Sequence, residues 1–478
     1  MSINTRDLQM ARKIATSVDA KGGTVYYVGG FVRDKLSGKP NKDIDIEVHG
    51  VTPEQLRGIL DQFGEIHTQG ASFGVYNLRG YDIDIAQPRT EKATGRGHKD
   101  FEVYVDPFIG PEKAAMRRDF TMNAMMENVL TGEIVDPFGG QFDMKNHIIR
   151  HVNDKTFVED PLRVFRAAQF AARFNYKLAP ETAELMKTMD VSALPRERVY
   201  AEMEKAMLKS DKPSVFFDVL KDTNQLHTWF CELEKLIGCK QDPTYHPEGD
   251  AYTHTMMVLD NAVRYRDQVD KPAYFMTAVL CHDFGKPYTT SVGDDGRIHS
   301  YNHAESSVPA AGAFLNRINN DTALRDYVYD MVKNHMRTHE TFNHNSAIKT
   351  TNHMFDSIQN KKDIVYLTVA DCMGKGDTFL ERASKEQEFL SERLAIYEKR
   401  AAEPMVGGKD LIAMGMRPSA EFSEILKNAR KMHFSGVDKA AVLKDIAAKH
   451  RDTVDSERVS ELIEQVSADS VHDAQYEG

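Results

Sequence analysis

Two aspartates stand two residues apart in the alternating run Asp43-Ile44-Asp45-Ile46. Alternation at period 2 predicts a strand that turns both carboxylates to one face. Like charges so placed need a cation between or beside them. Oxygen ligands of this kind suit Mg²⁺, which leaves its other positions to water and substrate phosphates. Upstream, a short apolar run, Val25–Val28, ends in Gly29–Gly30. A glycine pair lets the backbone approach a ligand with no side chain in the way. Arg33, one helical turn on, offers a guanidinium fitted to phosphate oxygens. Arg117-Arg118-Asp119 precede an apolar stretch that reads as a helix. Buried, these charges need anionic or hydroxyl partners, and a phosphate or a ribose would serve both signs. Asp160 and Arg163, at i and i+3, are predicted to share a helix face. Together they can pair, as acceptor and donor, with the polar edge of a base, and Arg166, one turn further, would reach the phosphates or help orient the pair. Asp82-Ile83-Asp84-Ile85 is a second alternating acidic strand. Asp84 is either a third carboxylate at the metal site or the solvent face of an edge strand, because alternation does not say which face is buried.

A second constellation lies mid-chain. His254 falls near the start of a helix, His282 and Asp283 are adjacent in a His-Asp-Phe-Gly-Lys-Pro run, and Asp371 comes much later. Two imidazoles and two carboxylates suit a divalent metal that acidifies a water for attack on phosphorus. Cys281 and Cys372 flank two of these residues but point about 100° away on a helix, so they are packing residues.

The elements that must carry these residues follow from local pattern. A helix is expected over 4–20, closed by Gly22–Gly23. Thr52-Pro53-Glu54-Gln55 carries the signature of a capped helix start running to about Phe63. Ile66–Thr68, Gly74–Leu78 and Tyr81–Ala86 read as strands, so the first ~90 residues form a mixed α/β domain, and Phe101–Val105 reads as one more strand. Residues 90–100 read as a polar, mobile loop. Beyond 150 the pattern is helical throughout: 180–210, 214–240 with Trp229 in its core, and 376–478, frayed after Ala468.

The chain has 478 residues and a formal net charge of −11, which disfavours a nonspecific nucleic-acid binder but not one with a basic patch. Basic residues do cluster, at Arg163, Arg166 and Arg173 and at Arg196, Arg198, Lys205, Lys209 and Lys212. No apolar run of about 18 residues exists, so no membrane partner is expected. The N-terminus has no signal-peptide core, and the four cysteines show no zinc or disulfide pattern. Both point to the cytoplasm.

The Gly-Gly-x-x-Arg-Asp and Asp-x-Asp runs resemble the polymerase-beta-like nucleotidyltransferases. With Arg-Arg-Asp-Phe-Thr-x-Asn-Ala (117–124), Asp-Pro-Phe-Gly-Gly (136–140), Glu-Asp-Pro-Leu-Arg-Val-Phe-Arg (159–166) and Arg-Glu-Arg-Val (196–199), the order resembles the class II tRNA nucleotidyltransferases. These CCA-adding enzymes share the pattern with bacterial poly(A) polymerases. The mid-chain histidines resemble the HD phosphohydrolases, in which His303 and His335 fall where some members add ligands for a second metal. The resemblance implies an α/β polymerase-beta-like head (1–150), an all-α neck binding nucleotide and RNA (151–240), an HD domain (241–375) and a helical C-terminal tail (376–478). It implies catalytic Asp43 and Asp45 holding Mg²⁺, with Asp84 as a third candidate. Gly29, Gly30, Arg33, Arg117, Arg118, Asp119, Asp160, Arg163 and Arg166 would bind nucleotide. The pair Asp160 and Arg163 would select CTP or ATP. His254, His282, Asp283 and Asp371, with His303 and His335, would hold Ni²⁺, Mn²⁺, Co²⁺ or Mg²⁺. The partners implied are tRNA, CTP and ATP. Gln169 departs from the pattern, since the family often has Arg there. The rivals are a poly(A) polymerase or partial C- or A-adding enzyme, and an HD phosphohydrolase with a nucleotide-sensing head. A non-catalytic RNA binder fits the two sites and the net acidity poorly.

Overall fold

Alternating apolar residues of the first unit assemble a sheet. The computed structural model describes residues 5–39, 41, 43–68, 75–93 and 101–476. It divides into two units, Met1–Glu234 with Arg317–Asn319 and Lys235–Asn316 with Asn320–Gly478. The strands of the first are β1 (Thr24–Val28), β2 (Ile44–His49), β3 (Ile66–Thr68), β4 (Val75–Leu78), β5 (Ile83–Ala86), β6 (Arg89–Ala93), β7 (Phe101–Val105), β8 (Met126–Asn128) and β9 (Ile134–Val135). The main sheet has the order β3-β4-β5-β2-β1-β8-β9, and β6 pairs with β7 as a separate hairpin. The sheet is mixed: β2 and β5 run parallel, β1 antiparallel to both β2 and β8. Ile44, Ile46 and Val48 of β2 and Ile83 and Ile85 of β5 enter the core. The helix Thr5–Asp19 adds Met10, Ala11, Ile14, Ala15 and Val18 to that core. The period-2 rule then leaves Asp45 and Asp84 side by side on the opposite face, paired in register. The fold is therefore an α/β head with a helical remainder.

Several elements differ from expectation. The stretch after Asp119 is no apolar helix but a single 3₁₀ turn, Thr121–Asn123, followed by β8. β8 supplies β1 with its second antiparallel neighbour, and that ladder outweighs local helical preference. Asp160 lies outside the helix Leu162–Phe174, not on its face; Pro161 intervenes, and the Asp160 carboxylate accepts from Leu162 N at 3.1 Å. Part of the expected loop at 90–100 is strand β6, while 94–100, like Gly74, lies outside the described residues. The helix expected over 214–240 breaks into Ser214–Asp222 and Cys231–Glu234, with Asn224 left-handed between them (φ 57). Trp229 is buried, as expected, and its Nε1 donates to Val191 O at 3.0 Å. The last helix runs through the expected frayed tail, Ser456–Tyr476.

In the second unit, Ala251–Arg266, Pro272–Cys281, Thr322–Asn343 and Lys361–Met373 pack on one another, and Leu380–Ala402 packs on the last two. Cys281 and Cys372 are fully buried, as packing residues should be. No helix among the described residues is long and apolar enough to cross a membrane.

Candidate nucleotide and metal sites

A cleft of about 460 Å³ opens on the first unit where β1 ends and β2 begins. Gly29 takes a backbone that L side chains avoid (φ 65, ψ −132) and starts the helix Gly30–Leu36. A Cβ on Gly29 would lie 3.5 Å from Arg118 Nη1 and 3.7 Å from Asp45 Oδ2. Glycine thus keeps clear the space between a carboxylate and a guanidinium. Asp45 is half-buried. Burial and the neighbouring Asp84 raise its pKa to about 6, with Arg118 opposing. Asp43 sits just before β2, exposed, and adds to the same negative field. Asp84 is exposed and accepts from Asn77 Nδ2. This face, where neighbouring carboxylates make ionisation of Asp45 costly, fits a divalent cation with oxygen ligands.

Buried ion pairs organise the cationic wall. Asp119 Oδ2 accepts from Arg166 Nε (2.8 Å) and lies 2.6 Å from Arg166 Nη2, while its Oδ1 accepts from Asn123 Nδ2 at 2.9 Å. Asn123 Oδ1 in turn accepts from Arg33 Nη1 at 2.7 Å. Burial works against the Asp119 charge, yet Arg166 and Asn123 hold its pKa below the usual carboxylate range. Arg33 is itself tied to Asp34 at 2.8 Å and packed over Phe174, so it lines the cleft with most of its donors already used. Arg163 donates to two backbone carbonyls, Thr156 O (2.5 Å) and Arg117 O (2.8 Å). Asp160 faces Arg198 at 3.5 Å rather than Arg163. Arg117 donates to Arg89 O. The cleft therefore gathers Gly29, Gly30, Arg33, Asp45, Arg117, Arg118, Asp119, Asp160, Arg163 and Arg166, with Lys205 and Lys209 from the helix Arg196–Lys209. Gln169 stands in its wall, buried, and its Nε2 has no hydrogen-bond partner.

Glu47 was not singled out in the sequence. It continues the Asp43-x-Asp45 alternation by one step, is buried, and anchors Arg118 (3.2 Å) and His49 (2.9 Å). Extending the alternating run would have found it.

The second unit carries a cluster built by helix ends. Asp250 caps the helix Ala251–Arg266 and so positions His254. His282 and Asp283 follow the end of Pro272–Cys281. Gly285 permits the close approach of the helix His303–Ile318, since a Cβ there would meet His303 O at 2.2 Å. His282, His303 and His335 each place Nδ1 2.7–2.8 Å from a backbone carbonyl, those of Val279, Ser300 and Val332. A carbonyl only accepts, so each ring carries a hydrogen on Nδ1, and the neutral ring turns its Nε2 lone pair to the cluster. His254 Nε2 lies 3.1 Å from Asp371 Oδ1 and 3.7 Å from Asp283 Oδ2. His303 Nε2 lies 3.3 Å and His335 Nε2 4.0 Å from Asp283 Oδ1. All six residues singled out in the sequence come together. The ligand atoms of His254, His282 and Asp283, and separately of Asp283, His303 and His335, lie within 4.8 Å of one another. His254 Nε2, His282 Nε2 and Asp371 Oδ1 are buried with no well-aligned hydrogen bond. Such atoms, in an N/O donor set, fit a divalent metal. Burial and the neighbouring imidazoles keep His335 neutral, as a ligand must be.

Three supporting residues escaped the sequence reading. Glu248 lies 2.6 Å from His254 Nδ1, in a loop with no periodicity to reveal it. His339 bridges Asp371 Oδ2 (2.8 Å) and Glu386 Oε1 (2.7 Å). Burial opposes its charge, but Glu386 and Asp371 prevail and raise its pKa to about 9. Glu386, fully buried on the helix Leu380–Ala402, sits in the tail to which no chemistry was ascribed. Lys286 lies 2.6 Å from Asp283, and with Lys375 and Arg382 it lines a cavity of about 500 Å³ over the cluster, a setting for an anionic substrate.

Comparison with known proteins agrees with this layout. The family model described as "Poly A polymerase head domain" matches residues 25–150. That for the "HD domain" matches 251–373, and "Probable RNA and SrmB- binding site of polymerase A" matches 175–237. The multifunctional CCA protein of Nitrosococcus oceani is 35% identical over 83% of this chain and 94% of its own length. That of Actinobacillus pleuropneumoniae is 36% identical over 66% of this chain and 76% of its own. Among solved structures, a CCA-adding enzyme complexed with ATP superposes with TM-score 0.66 at 20% identity, over 94% of each chain. The Thermotoga maritima CCA-adding enzyme complexed with tRNA gives 0.63 at 20%, over 94% of this chain and 96% of that one. At this identity the structural likeness speaks for the fold.

Two outcomes follow. Asp45 has a raised pKa, so the fold bears no cost from it below about pH 4 and the full cost above about pH 6. Asp45→Asn is expected to raise the melting temperature of the metal-free chain at pH 8, by up to about 3 kcal/mol of stability, and to leave it unchanged at pH 4. An equal gain at both pH values would contradict the pKa. Glu386→Gln is expected to weaken Mn²⁺ binding at the buried cluster about 10–100-fold by calorimetry, the scale for loss of a residue that orients a ligand; unchanged affinity would refute the support role.

Proposed function

The chain belongs to the family of the multifunctional CCA proteins and is a tRNA nucleotidyltransferase, and from that premise we propose that it adds CMP and AMP to tRNA 3′ ends from CTP and ATP without a nucleic-acid template. The observation that carries this reading is the cleft itself, where the glycine turn, the acidic strand face and the cationic wall meet. Asp43 and Asp45, with Asp84 beside them, would hold Mg²⁺, which when bound would supply activation of the 3′-hydroxyl and charge neutralisation at the leaving pyrophosphate. The backbone at Gly29–Gly30 leaves room for the triphosphate. Arg117, Arg118 and Arg166 face its charge, and Lys205 and Lys209 extend the positive wall to the RNA. Arg33 and Asp119 act by holding these groups in place. Asp160 and Arg163 select the base. Asp160 does so from the turn before the helix, and Arg163, anchored through two carbonyls, presents its remaining guanidinium edge. The Gln169 amide stands where the family often has Arg and offers a neutral donor to the nucleotide. A cytoplasmic enzyme acting on tRNA fits four cysteines that form no disulfide.

The second unit supports a further activity of the same chain, metal-dependent hydrolysis of phosphate esters such as 2′,3′-cyclic phosphates. His254, His282, Asp283 and Asp371 would hold the metal, with His303 and His335 placed to ligate a second ion. The bound metal supplies an acidified water. Lys286, Lys375 and Arg382 attract the phosphate.

Labelled CTP and ATP, given separately and together with tRNA ending before CCA, before CA and before A, should be added in order and stop after the final A. Long A tails without C would make the enzyme a poly(A) polymerase. Asp160→Ala should erode the preference for CTP and ATP over GTP and UTP about 10–100-fold, one charge-assisted hydrogen bond, before it stops transfer. Unchanged selectivity would remove Asp160 from base recognition. For the second unit, release of a 2′-phosphomonoester or 3′-phosphomonoester from a 2′,3′-cyclic phosphate with Ni²⁺, Mn²⁺ or Co²⁺ is expected, and its loss in His254→Ala. Turnover that survives His254→Ala would argue against the cluster.

A further inference from the structure

Beside the nucleotide cleft, the first unit carries a groove of about 500 Å³ that the reading above leaves unused. Its wall is aromatic. The rings of Phe174 and Tyr176 are 5.7 Å apart, and Tyr176 stacks on His147 at 5.0 Å and 27°. The rib continues back to the cleft: Phe174 stacks on Phe170 at 5.8 Å and 13°, and Phe170 lines the cleft itself. Cations flank the rib. Lys39 Nζ lies 5.1 Å from the Phe174 ring, Arg173 packs over the same ring at 5.1 Å, and Lys145 lines the groove.

The backbone is bent to hold these rings. His147 and Asn175 both adopt left-handed conformations (φ 58 and φ 55), rare for residues with a side chain. A short parallel strand pair, with Ile148 opposite Lys177 and Ile149 opposite Leu178, fastens them together, and Lys177 N donates to His147 O at 2.9 Å. Two unfavourable residues on adjacent segments thus bring one imidazole face to one phenol. His147 is exposed and Tyr176 half-buried, so the pair contributes little to any core.

Aromatic faces interleaved with flexible cations fit unpaired nucleotides, because every base has a π face and every linkage a charge. We propose that this groove is a stacking site for an unpaired nucleotide of the RNA strand whose 3′ end lies in the cleft. His147 and Tyr176 take the base, and Lys39 and Lys145 take its phosphates. The proposal rests on the reading of the cleft as the transfer site and adds to it a contact upstream of the growing end.

The test uses the full chain with Mg²⁺, tRNA ending before the final A, and a fluorescein-labelled single-stranded RNA hexamer as binding probe. His147→Gly removes the ring and keeps the left-handed backbone at ease. Tyr176→Leu keeps apolar bulk without the π face. Each should raise the KM for tRNA and the Kd for the hexamer about tenfold, the scale of one lost base–aromatic stack. The KM for ATP, and kcat at saturating tRNA, should stay within about twofold. Lys39→Gln should reduce the salt dependence of hexamer binding. RNA binding unchanged in both ring variants would overturn the proposal. So would a parallel loss of ATP affinity, which marks a structural disturbance, or displacement of the hexamer from the groove by free AMP, which marks a mononucleotide site. If the wild type extends no tRNA, the cleft reading fails, while hexamer binding to wild type and ring variants still decides the groove.

Discussion

One buried carboxylate makes the cationic cleft possible. Guanidinium groups repel one another, and a wall that must face a triphosphate needs them close. Asp119 resolves the conflict from behind. One oxygen takes Arg166; the other takes Asn123, whose carbonyl takes Arg33. The chain of contacts joins the helix that follows the glycine turn, the 3₁₀ turn Thr121–Asn123 and the helix Leu162–Phe174. Removing Arg166 would leave the buried Asp119 carboxylate without its charge partner, a loss that reaches about 3–5 kcal/mol where both partners are fully buried and less here, because Arg166 is one-third exposed. Glu47 does the same for Arg118 one strand away. The acidic residues of the cleft thus divide by burial. Asp119 and Glu47 are enclosed and organise the arginines. Asp43 and Asp84 are exposed and Asp45 half-buried, on the face left for a cation.

The second unit meets the same difficulty with histidines. Buried imidazoles could turn either nitrogen inward. Carbonyls of Val279, Ser300 and Val332 remove the choice for His282, His303 and His335. Glu248 and the His339–Glu386 pair steady His254 and Asp371 from outside. Each group that would touch the metal is therefore held by a group that would not.

What the sequence revealed follows from how local each signal is. Gly29–Gly30 and the Asp43–Ile46 alternation are set by the nearest neighbours of each residue, and the strand and turn appear where expected. Spacing alone puts Asp160 and Arg163 on one helix face; the proline between them sets Asp160 before the helix, where it accepts from a backbone amide and meets Arg198 instead. The stretch after Asp119 has helix-like composition, but its pairing with β1 is a long-range contact that composition does not carry. The supporting residues were the least legible. His339 and Glu386 lie 47 residues apart, and only packing of their helices joins them. Glu248 sits in a loop without period. Glu47 alone had a local signal, one further step of the alternation.

Asp119 is the residue on which the cationic wall depends most directly. Urea unfolding and ATP binding with Mg²⁺ should be measured for Asp119→Asn, Arg166→Gln and the double variant. Non-additive losses of stability are expected, with at least about a tenfold loss of ATP affinity shared by all three, because the pair acts as a unit. Additive stability effects with ATP affinity intact would contradict it, and would mean that the cationic wall stands without its buried carboxylate.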